Sequence, residues 1–155
     1  MLNCLHICND LLGSKVHRNL YLHLEKHGIN QTMFYPSRKK TYSKVNQFLK
    51  EFDFNVIVSQ PLKKYHKYFF KRKIGFLYNQ LSSQTPIKNF DVVHATTLFS
   101  DGALALKIHK KFNIPFIVAV RETDISVFLK KRPDLLPLAL EILNKSSYII
   151  FIADS

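Results

Sequence analysis

Four residues that can bind or orient a polar ligand follow the apolar run Ile114–Val120: Arg121, Glu122, Thr123 and Asp124. One arginine and two carboxylates at the exit of a buried strand need either each other or a polar ligand to offset their loss of hydration. An arginine suits a ligand that bears phosphate or carboxylate, because its guanidinium can donate two parallel hydrogen bonds to such a group. The segment predicts a polar binding site, and an internal ion pair between Arg121 and Asp124 is the alternative.

A second polar group stands in the sequence HATTLFSDG, which contributes His94, Thr97, Ser100 and Asp101. Ser100 or Asp101 can cap the first amides of the helix that follows, and capping does not exclude contact with a ligand. His94 lies within a predicted strand, where a packed core histidine is more common than a ligand-binding one. From the sequence, both interpretations stay open for each of these residues.

The turn NDLLGSK carries a single glycine, Gly13, ahead of Ser14 and Lys15. It therefore lacks the G-x-G-x-x-G pattern of dinucleotide-binding turns. Anion binding at the start of the next helix and a plain turn capped by Ser14 explain this sequence equally well. Cys4 and Cys8 have no second cysteine or histidine pair at zinc spacing, so we expect buried thiols and no metal site.

These polar segments follow short apolar runs that alternate with helical patterns, and we expect a single domain over residues 1–155. Strands are predicted at Leu2–Cys8, Thr32–Tyr35, Asn55–Val58, Asp91–Ala95, Pro115–Val120 and Tyr148–Ile152. Helices are predicted at Lys15–His27, Leu62–Leu81, Ser100–Phe112 and Asp134–Asn144. This alternation predicts the α/β class: a doubly wound, mostly parallel Rossmann-like sheet of about six strands with helices on both faces.

Open parallel sheets bind ligands beyond the carboxyl ends of their strands, where the strand order reverses and helix N-termini point. In this chain three of those ends are Asn9–Ser14, Thr96–Gly102 and Arg121–Asp124. We therefore expect the three polar segments to lie at one edge of the sheet.

The charge of the chain is strongly positive, with 23 Lys and Arg against 11 Asp and Glu and a formal balance of +12. Residues 38–73 contain 11 basic residues and only two acidic ones. Such a concentration of charge implies an anionic partner. In the predicted helix Leu62–Leu81, an apolar stripe beside a lysine stripe is typical of a helix lying on an anionic membrane. The predicted membrane-binding residues are Lys63, Lys64, Lys67, Phe70, Lys71, Arg72 and Lys73.

An ordinary surface helix with solvated lysines is the alternative for this segment. The segment's basic residues, interleaved with the aromatic residues Tyr65, Tyr68, Phe69 and Phe70, would also suit nucleic acid. No RNP, zinc-finger or helix-turn-helix signature supports that partner, and we do not expect it. No apolar run approaches the roughly 20 residues that span a bilayer, and the N-terminus lacks the basic leader of a signal peptide. We expect a cytoplasmic protein, peripheral to the inner face of the membrane.

Two stretches carry a family resemblance: GSKVHRNLYLHLEKHGINQTMFYP near the N-terminus and DVVHATTLFSDGALALKIHKKFNIPFIVAVRETDI further on. They resemble the N-terminal half of glycosyltransferase family 4 enzymes, especially those that build bacterial capsular and other surface polysaccharides. The resemblance implies the GT-B arrangement of two facing Rossmann-like halves, in which the N-terminal half binds the acceptor and the C-terminal half binds a nucleotide-sugar donor. It also implies a lipid-linked or saccharide acceptor, and no cofactor beyond the donor substrate.

The same resemblance assigns roles by position. It places Gly13, Ser14 and Lys15 near the donor diphosphate. The acceptor-binding residues that it implies are His94, Thr97, Ser100, Asp101, Arg121, Glu122, Thr123 and Asp124. It assigns no catalytic residue within this chain.

The chain also departs from the family pattern. Many relatives have a histidine at the position of Arg121 and two glycines where this chain has Gly13 alone. No two glutamates of this chain have the spacing of the family's paired donor-site glutamates. We therefore expect an acceptor-side half that is inactive alone, and whose partner is the missing C-terminal donor domain or an equivalent subunit. The alternative is a non-catalytic subunit that supplies an acceptor or membrane platform to a separately encoded donor domain.

Overall fold

The computed structural model describes residues 1–12, 15–38, 45 and 53–152. Within these residues the fold is a six-stranded, all-parallel sheet with flanking helices. The strands are β1 (Asn3–Ile7), β2 (Asn30–Tyr35), β3 (Asn55–Val58), β4 (Val92–Ala95), β5 (Phe116–Arg121) and β6 (Tyr148–Ile152). The helices are α1 (Lys15–Lys26), α2 (Phe70–Ser82), α3 (Ser100–Phe112) and α4 (Leu136–Lys145), with a π-helical segment at Asp124–Leu129.

The strands lie in the order β3-β2-β1-β4-β5-β6, so the direction of winding reverses between β1 and β4. The register pairs Ile7 with Ala95 across this point, and Val93 of β4 lies opposite Phe116 of β5. This order confirms the predicted α/β, doubly wound, Rossmann-like fold. Because all six described strands run the same way, their carboxyl ends share one edge, which is where such sheets bind ligands.

Alternate residues of each strand point to opposite faces of the sheet, and different helices cover the two faces. Leu5 and Ile7 of β1 pack with buried residues of α2, α3 and α4 in the larger hydrophobic core. Cys8, which directly follows β1, and Met33 of β2 pack with Tyr21 of α1 in a second core. The central strands are therefore apolar on both faces because both faces are buried.

The prediction of one helix over Leu62–Leu81 is wrong for the first half of that range, because the α-helix begins only at Phe70. A 3-10 turn occupies Lys64–Lys67, and it is closed by a hydrogen bond of 3.0 Å from the backbone N–H of Lys63 to Nδ1 of His66. Phe69 then adopts a non-helical backbone conformation, with φ −104° and ψ 78°, before α2 begins. The break changes the direction of the chain, so the residues on the two sides of Phe69 do not form one continuous helical stripe.

The apolar stripe of α2 faces the protein and not a membrane. Five of its residues belong to the larger hydrophobic core: Phe70, Ile74, Leu77, Tyr78 and Leu81. The prediction that Phe70 binds a membrane is corrected, because its ring is already buried against the sheet. The helical spacing of the apolar residues correctly predicted that one face of the helix is buried. It did not predict that this face is buried in the protein core and not in a membrane.

The other predicted strands and helices are confirmed, with ends that differ by at most two residues. β6 lies at the edge of the sheet, and its apolar side chains Tyr148, Ile149, Ile150 and Phe151 are exposed. Across residues 1–12, 15–38 and 53–152, none of the helices combines the length and the apolar character that crossing a membrane requires.

The start of α3 packs so closely on its neighbours that any side chain at position 102 is crowded. A Cβ atom at Gly102 would lie 3.2 Å from Cγ2 of Ile142, and 3.3 Å from both the carbonyl oxygen of Thr97 and Cγ2 of Val118. We expect Gly102→Val to lower the free energy of unfolding by about 1–3 kcal/mol through overpacking. Urea denaturation measures this difference.

Gly75→Ala is the matched control, because a Cβ atom at Gly75 would meet no atom within 4 Å. This change lies inside α2, where alanine is the better helix former, so stability should stay the same or rise by up to about 1 kcal/mol. A Gly102→Val variant as stable as the wild type would contradict the close approach of α3 to β5 and α4.

Candidate functional site

The carboxyl ends of β1 and β4 are joined by the buried carboxylate of Asp101. Asp101 is the second residue of α3 and is fully buried. Its Oδ2 atom accepts a hydrogen bond of 2.9 Å from the hydroxyl group of Thr96 and one of 3.4 Å from the backbone N–H of Asn9. Thr97 extends the link, because its Oγ1 atom accepts a hydrogen bond from the side-chain amide of Asn9 at 3.4 Å. The turn after β1 and the loop after β4 thus meet where the strand order reverses.

The second oxygen of Asp101, Oδ1, is buried and has no hydrogen-bond partner among the described residues. Burial raises the pKa of Asp101 to about 7, and the hydrogen bonds from Thr96 and Asn9 offset only part of this effect. Near neutral pH the carboxyl group is therefore present in both its neutral and its charged form. Because Asp101 is fully buried, the carboxyl group acts on the loops around it and is not exposed to a ligand in either form.

Lys73 brings a positive charge to the same place from α2. Its Nζ atom donates a hydrogen bond of 2.7 Å to Oγ of Ser100, the first residue of α3. Burial lowers the pKa of Lys73, while the nearby carboxylate of Asp101 raises it. The prediction that Lys73 binds a membrane is therefore corrected, because its amino group turns inward to the start of α3.

Arg121, the last residue of β5, is held against the turn after β1 and the first turn of α1. Its guanidinium contacts Nε2 of His17 and lies 4.0 Å from Oδ2 of Asp10. Burial, and to a smaller extent the charge of Arg121, lowers the pKa of His17, so the neutral ring accepts the hydrogen bond. The Nε atom of Arg121 is buried and has no partner among the described residues. The guanidinium is thus held at the sheet edge, and because 23% of the side-chain surface is exposed, it can meet a ligand there.

Hydrogen bonds to the Asp124 carboxylate connect the end of β5 to the loop after β4. Its Oδ2 atom accepts hydrogen bonds from the backbone N–H groups of Leu98 at 3.1 Å and Arg121 at 3.0 Å. Asp124 therefore binds the backbone of Arg121, while the guanidinium points to His17, which differs from the ion pair considered from the sequence. Asp124 also begins the π-helical segment, a type of irregularity that is frequent near functional sites. Its role in this structure is to position the loop.

Two histidines lie beneath these groups, within the sheet. Nδ1 of His6 and Nδ1 of His94 are 3.0 Å apart, so one ring donates a hydrogen bond to the other. Burial lowers the pKa of His6 to about 3 and that of His94 to about 4, and both rings are neutral near pH 7. His94 is buried, as expected for a packed core histidine, so little of its ring is accessible to an acceptor.

Five predicted site residues take part in these hydrogen bonds, in three groups: Thr97 and Asp101 through Asn9, Ser100 with Lys73, and Arg121 with Asp124. Glu122 and Thr123 are exposed just beyond β5, and Lys15 is exposed at the first residue of α1. Gly13 and Ser14 lie outside the described residues. The ligand contacts assigned to all of these residues stay predictions.

Three residues of the site were not singled out from the sequence, Asn9, Asp10 and His17, and a fourth, Lys73, was predicted only as a membrane-binding residue. Asn9 and Asp10 belong to a sheet edge that the sequence did predict. His17 lies one helical turn before the buried Tyr21, so helical spacing places it on the inner face of α1. Lys73 carried no signal of its own, because it is one of many lysines in a basic segment.

The two cysteines are buried free thiols, as predicted. Burial raises the pKa of Cys4 and of Cys8 to about 12, so both stay protonated. In the part of the chain that the structure describes, no three His, Cys, Asp or Glu side chains are grouped so that they could hold a metal ion.

The buried histidine pair predicts a loss of stability in acid. The folded-state pKa values of His6 and His94 lie below the ordinary value of 6.5, so the unfolded chain binds more protons below that pH. The contribution of this pair to the free energy of unfolding is therefore complete above pH 6.5 and falls as the pH drops to 4. Each group contributes up to about 1.4 kcal/mol per pH unit. The pKa of Asp101 is raised in the folded state, so this group makes the loss of stability towards acid pH less steep.

His94→Gln should make this fall shallower when unfolding by urea is measured at a series of pH values. His27→Gln is the control, because His27 is exposed at the end of α1 and its replacement should leave the slope unchanged. The same pH dependence in the wild type and in His94→Gln would show that the pair is not buried in its neutral form.

No protein-family model matches this chain, and no curated protein matches it. The assignment of a function therefore depends on the fold, on the arrangement of the side chains described above and on the family resemblance of the sequence.

Proposed function

We propose that this chain is the acceptor-binding half of a glycosyltransferase of GT-B architecture, which transfers a sugar from a nucleotide-sugar to a saccharide or lipid-linked acceptor. The observation that carries the proposal is the polar cluster at the reversal point of a Rossmann-like sheet, centred on Asp101 and Arg121. Ligands of such sheets bind at this point. The sequence resemblance selects sugar transfer among the many functions that the fold can support.

In this proposal Arg121 binds the charged group of the acceptor, a phosphate or a carboxylate. The contact with His17 fixes the direction of the guanidinium before the ligand arrives, which reduces the entropy lost on binding. The hydroxyl group of Thr97, which is only partly buried, binds a sugar hydroxyl group, and the buried carboxylate of Asp101 positions the two loops beside it. The positive charge of Lys73 offsets the negative charge of the nearby Asp101 carboxylate, and its amino group donates a hydrogen bond that positions the Ser100 hydroxyl group.

The turn after β1 favours an acceptor over a tightly bound dinucleotide. It carries the half-exposed carboxylate of Asp10 and only one glycine, Gly13. A carboxylate at this edge repels a diphosphate, and dinucleotide-binding turns use several glycines so that the phosphates can approach the backbone. The donor diphosphate, if it comes near Gly13, Ser14 and Lys15 as the resemblance implies, is therefore held mainly by a facing half.

Binding of an anionic saccharide should be detectable by titration of the isotope-labelled protein in NMR experiments. Sugar phosphates and uronic acids should shift the amide signals of Asn9, Thr97 and Asp101, and matched neutral sugars should bind more weakly. Arg121→Gln should weaken binding by roughly 10- to 100-fold, since a hydrogen bond to a charged group contributes about 1.5–3 kcal/mol. The same spectra show whether the variant is folded.

Arg132→Gln is the matched control, because Arg132 forms an ion pair with exposed Asp134 and takes no part in the cluster. It removes the same charge and should leave the affinity unchanged. Equal affinity for neutral and anionic saccharides, or tight binding of a dinucleotide to the turn after β1, would contradict the proposed function.

A further inference from the structure

A second surface with a distinct chemistry lies where the 3-10 turn Lys64–Lys67 leads into α2. We call it the basic aromatic surface. It consists of the exposed side chains of Lys63, Lys64, Tyr65, Lys67, Tyr68, Phe69, Lys71 and Arg72. It is distinct from the apolar stripe of α2, which is buried in the core.

The charge of this surface is of one sign. No aspartate or glutamate occurs in residues 54–90, so the five cations of the basic aromatic surface have no acidic partner close in sequence. The described salt bridges engage Lys110, Arg121 and Arg132, all of which lie outside the surface. A partner that covers it must therefore be anionic.

Three aromatic rings project from the same place. Tyr65, Tyr68 and Phe69 have exposed fractions of 44%, 71% and 53%. Phenylalanine has no polar group that benefits from contact with water, so an exposed Phe69 beside two exposed tyrosines marks a contact surface. Tyrosine is enriched where a membrane meets water, because its ring is apolar and its hydroxyl group is polar.

A lipid surface is favoured over single-stranded nucleic acid, because the chain carries no RNP, zinc-finger or helix-turn-helix signature and the exposed rings lie among cations. The Arg72 guanidinium lies 5.2 Å from the centre of the Phe69 ring, and the Lys67 amino group lies 5.9 Å from the centre of the Tyr68 ring. The Tyr65 ring packs against His66 with ring centres 4.3 Å apart. Each ring therefore has a cation or another ring as a neighbour. Exposed rings among cations suit insertion between anionic headgroups.

A shallow groove of about 520 Å³ runs through the surface, lined by Tyr65, His66, Phe69, Arg72, Phe76 and Asn79. Its walls are largely aromatic, and Tyr65, His66, Arg72 and Asn79 contribute polar groups to its lining. An open groove of this kind can admit a headgroup whose acyl chains remain outside in the bilayer.

We propose that the basic aromatic surface docks this protein on an anionic phospholipid membrane, with Tyr68 and Phe69 at the level of the headgroups. The contact is made by the turn before α2, whereas the sequence had predicted the apolar stripe of α2 itself. Lys73, the next residue after Arg72, donates a hydrogen bond to Ser100 in the candidate site. Consecutive residues of α2 therefore contribute to the basic aromatic surface and to the candidate site. The inference does not depend on the proposed sugar transfer.

Sedimentation with vesicles tests the inference. The protein should bind vesicles of phosphatidylcholine mixed with phosphatidylglycerol, and not vesicles of phosphatidylcholine alone. Removal of two cations in the variant Lys63→Gln with Lys64→Gln should weaken binding on the order of 25-fold, since each lysine near an anionic surface contributes about fivefold in affinity. The variant Tyr68→Ser with Phe69→Ser should also bind more weakly. All these side chains are exposed, so circular dichroism should report an unchanged fold.

Two double variants serve as matched controls. Lys130→Gln with Lys131→Gln removes the same charge from two adjacent exposed lysines after β5, and Tyr148→Ser with Phe151→Ser removes two exposed aromatic rings from β6. Both should bind anionic vesicles as the wild type does. Equal losses in the Lys63 and Lys130 double variants would overturn the inference, because net charge alone would then explain binding. No binding to anionic vesicles, together with binding of a single-stranded oligonucleotide that requires Tyr68 and Phe69, would also overturn it.

Discussion

The site depends on one interaction, the burial of the Asp101 carboxylate at the point where β1, β4 and α3 meet. Its Oδ2 atom holds the turn after β1 through Asn9 and the end of β4 through Thr96. A buried charge is costly unless it is hydrogen-bonded or neutralised, and here the rise of the pKa to about 7 shows that part of that cost is met by protonation. The loops of two neighbouring strands are thereby fixed to each other, and Thr97 at the rim gains a defined position through Asn9. Arg121 is positioned by its own contacts with His17 and Asp10.

The sequence predicted the strands well because parallel strands buried on both faces have a strong and simple pattern, as Val92–Ala95 and Phe116–Arg121 illustrate. It also predicted the meeting of the polar segments, since the carboxyl ends of parallel strands must share an edge. It did not predict the hydrogen-bond partner of each side chain. The guanidinium of Arg121 points to His17, which is 104 positions away in the sequence, and Asp124 binds backbone amides. Such choices depend on distances of a few ångströms that residue types and spacing do not determine.

The basic segment, residues 38–73, is a second example of what a sequence pattern does not determine. The apolar stripe of α2 has the periodicity of a helix with one buried face, and periodicity does not distinguish burial in a core from burial in a membrane. Phe70 therefore proved to be a core residue and Lys73 a site residue. The exposed rings that remain, Tyr68 and Phe69, stand outside any helical stripe because the backbone breaks at Phe69. The two surfaces proposed here, for an acceptor and for a lipid headgroup, are adjacent because Arg72 and Lys73 are consecutive on α2.

The most direct measurement of the central claim is the titration of the Asp101 carboxyl carbon by NMR spectroscopy, with Asp101→Asn used to assign the signal. A buried carboxylate that holds the two loops together should titrate with a midpoint of about 7. A midpoint near 3.8, the ordinary value of an exposed aspartate, would mean that water reaches the group and that the link between β1 and β4 is open. The arrangement of the candidate site described here would then be wrong.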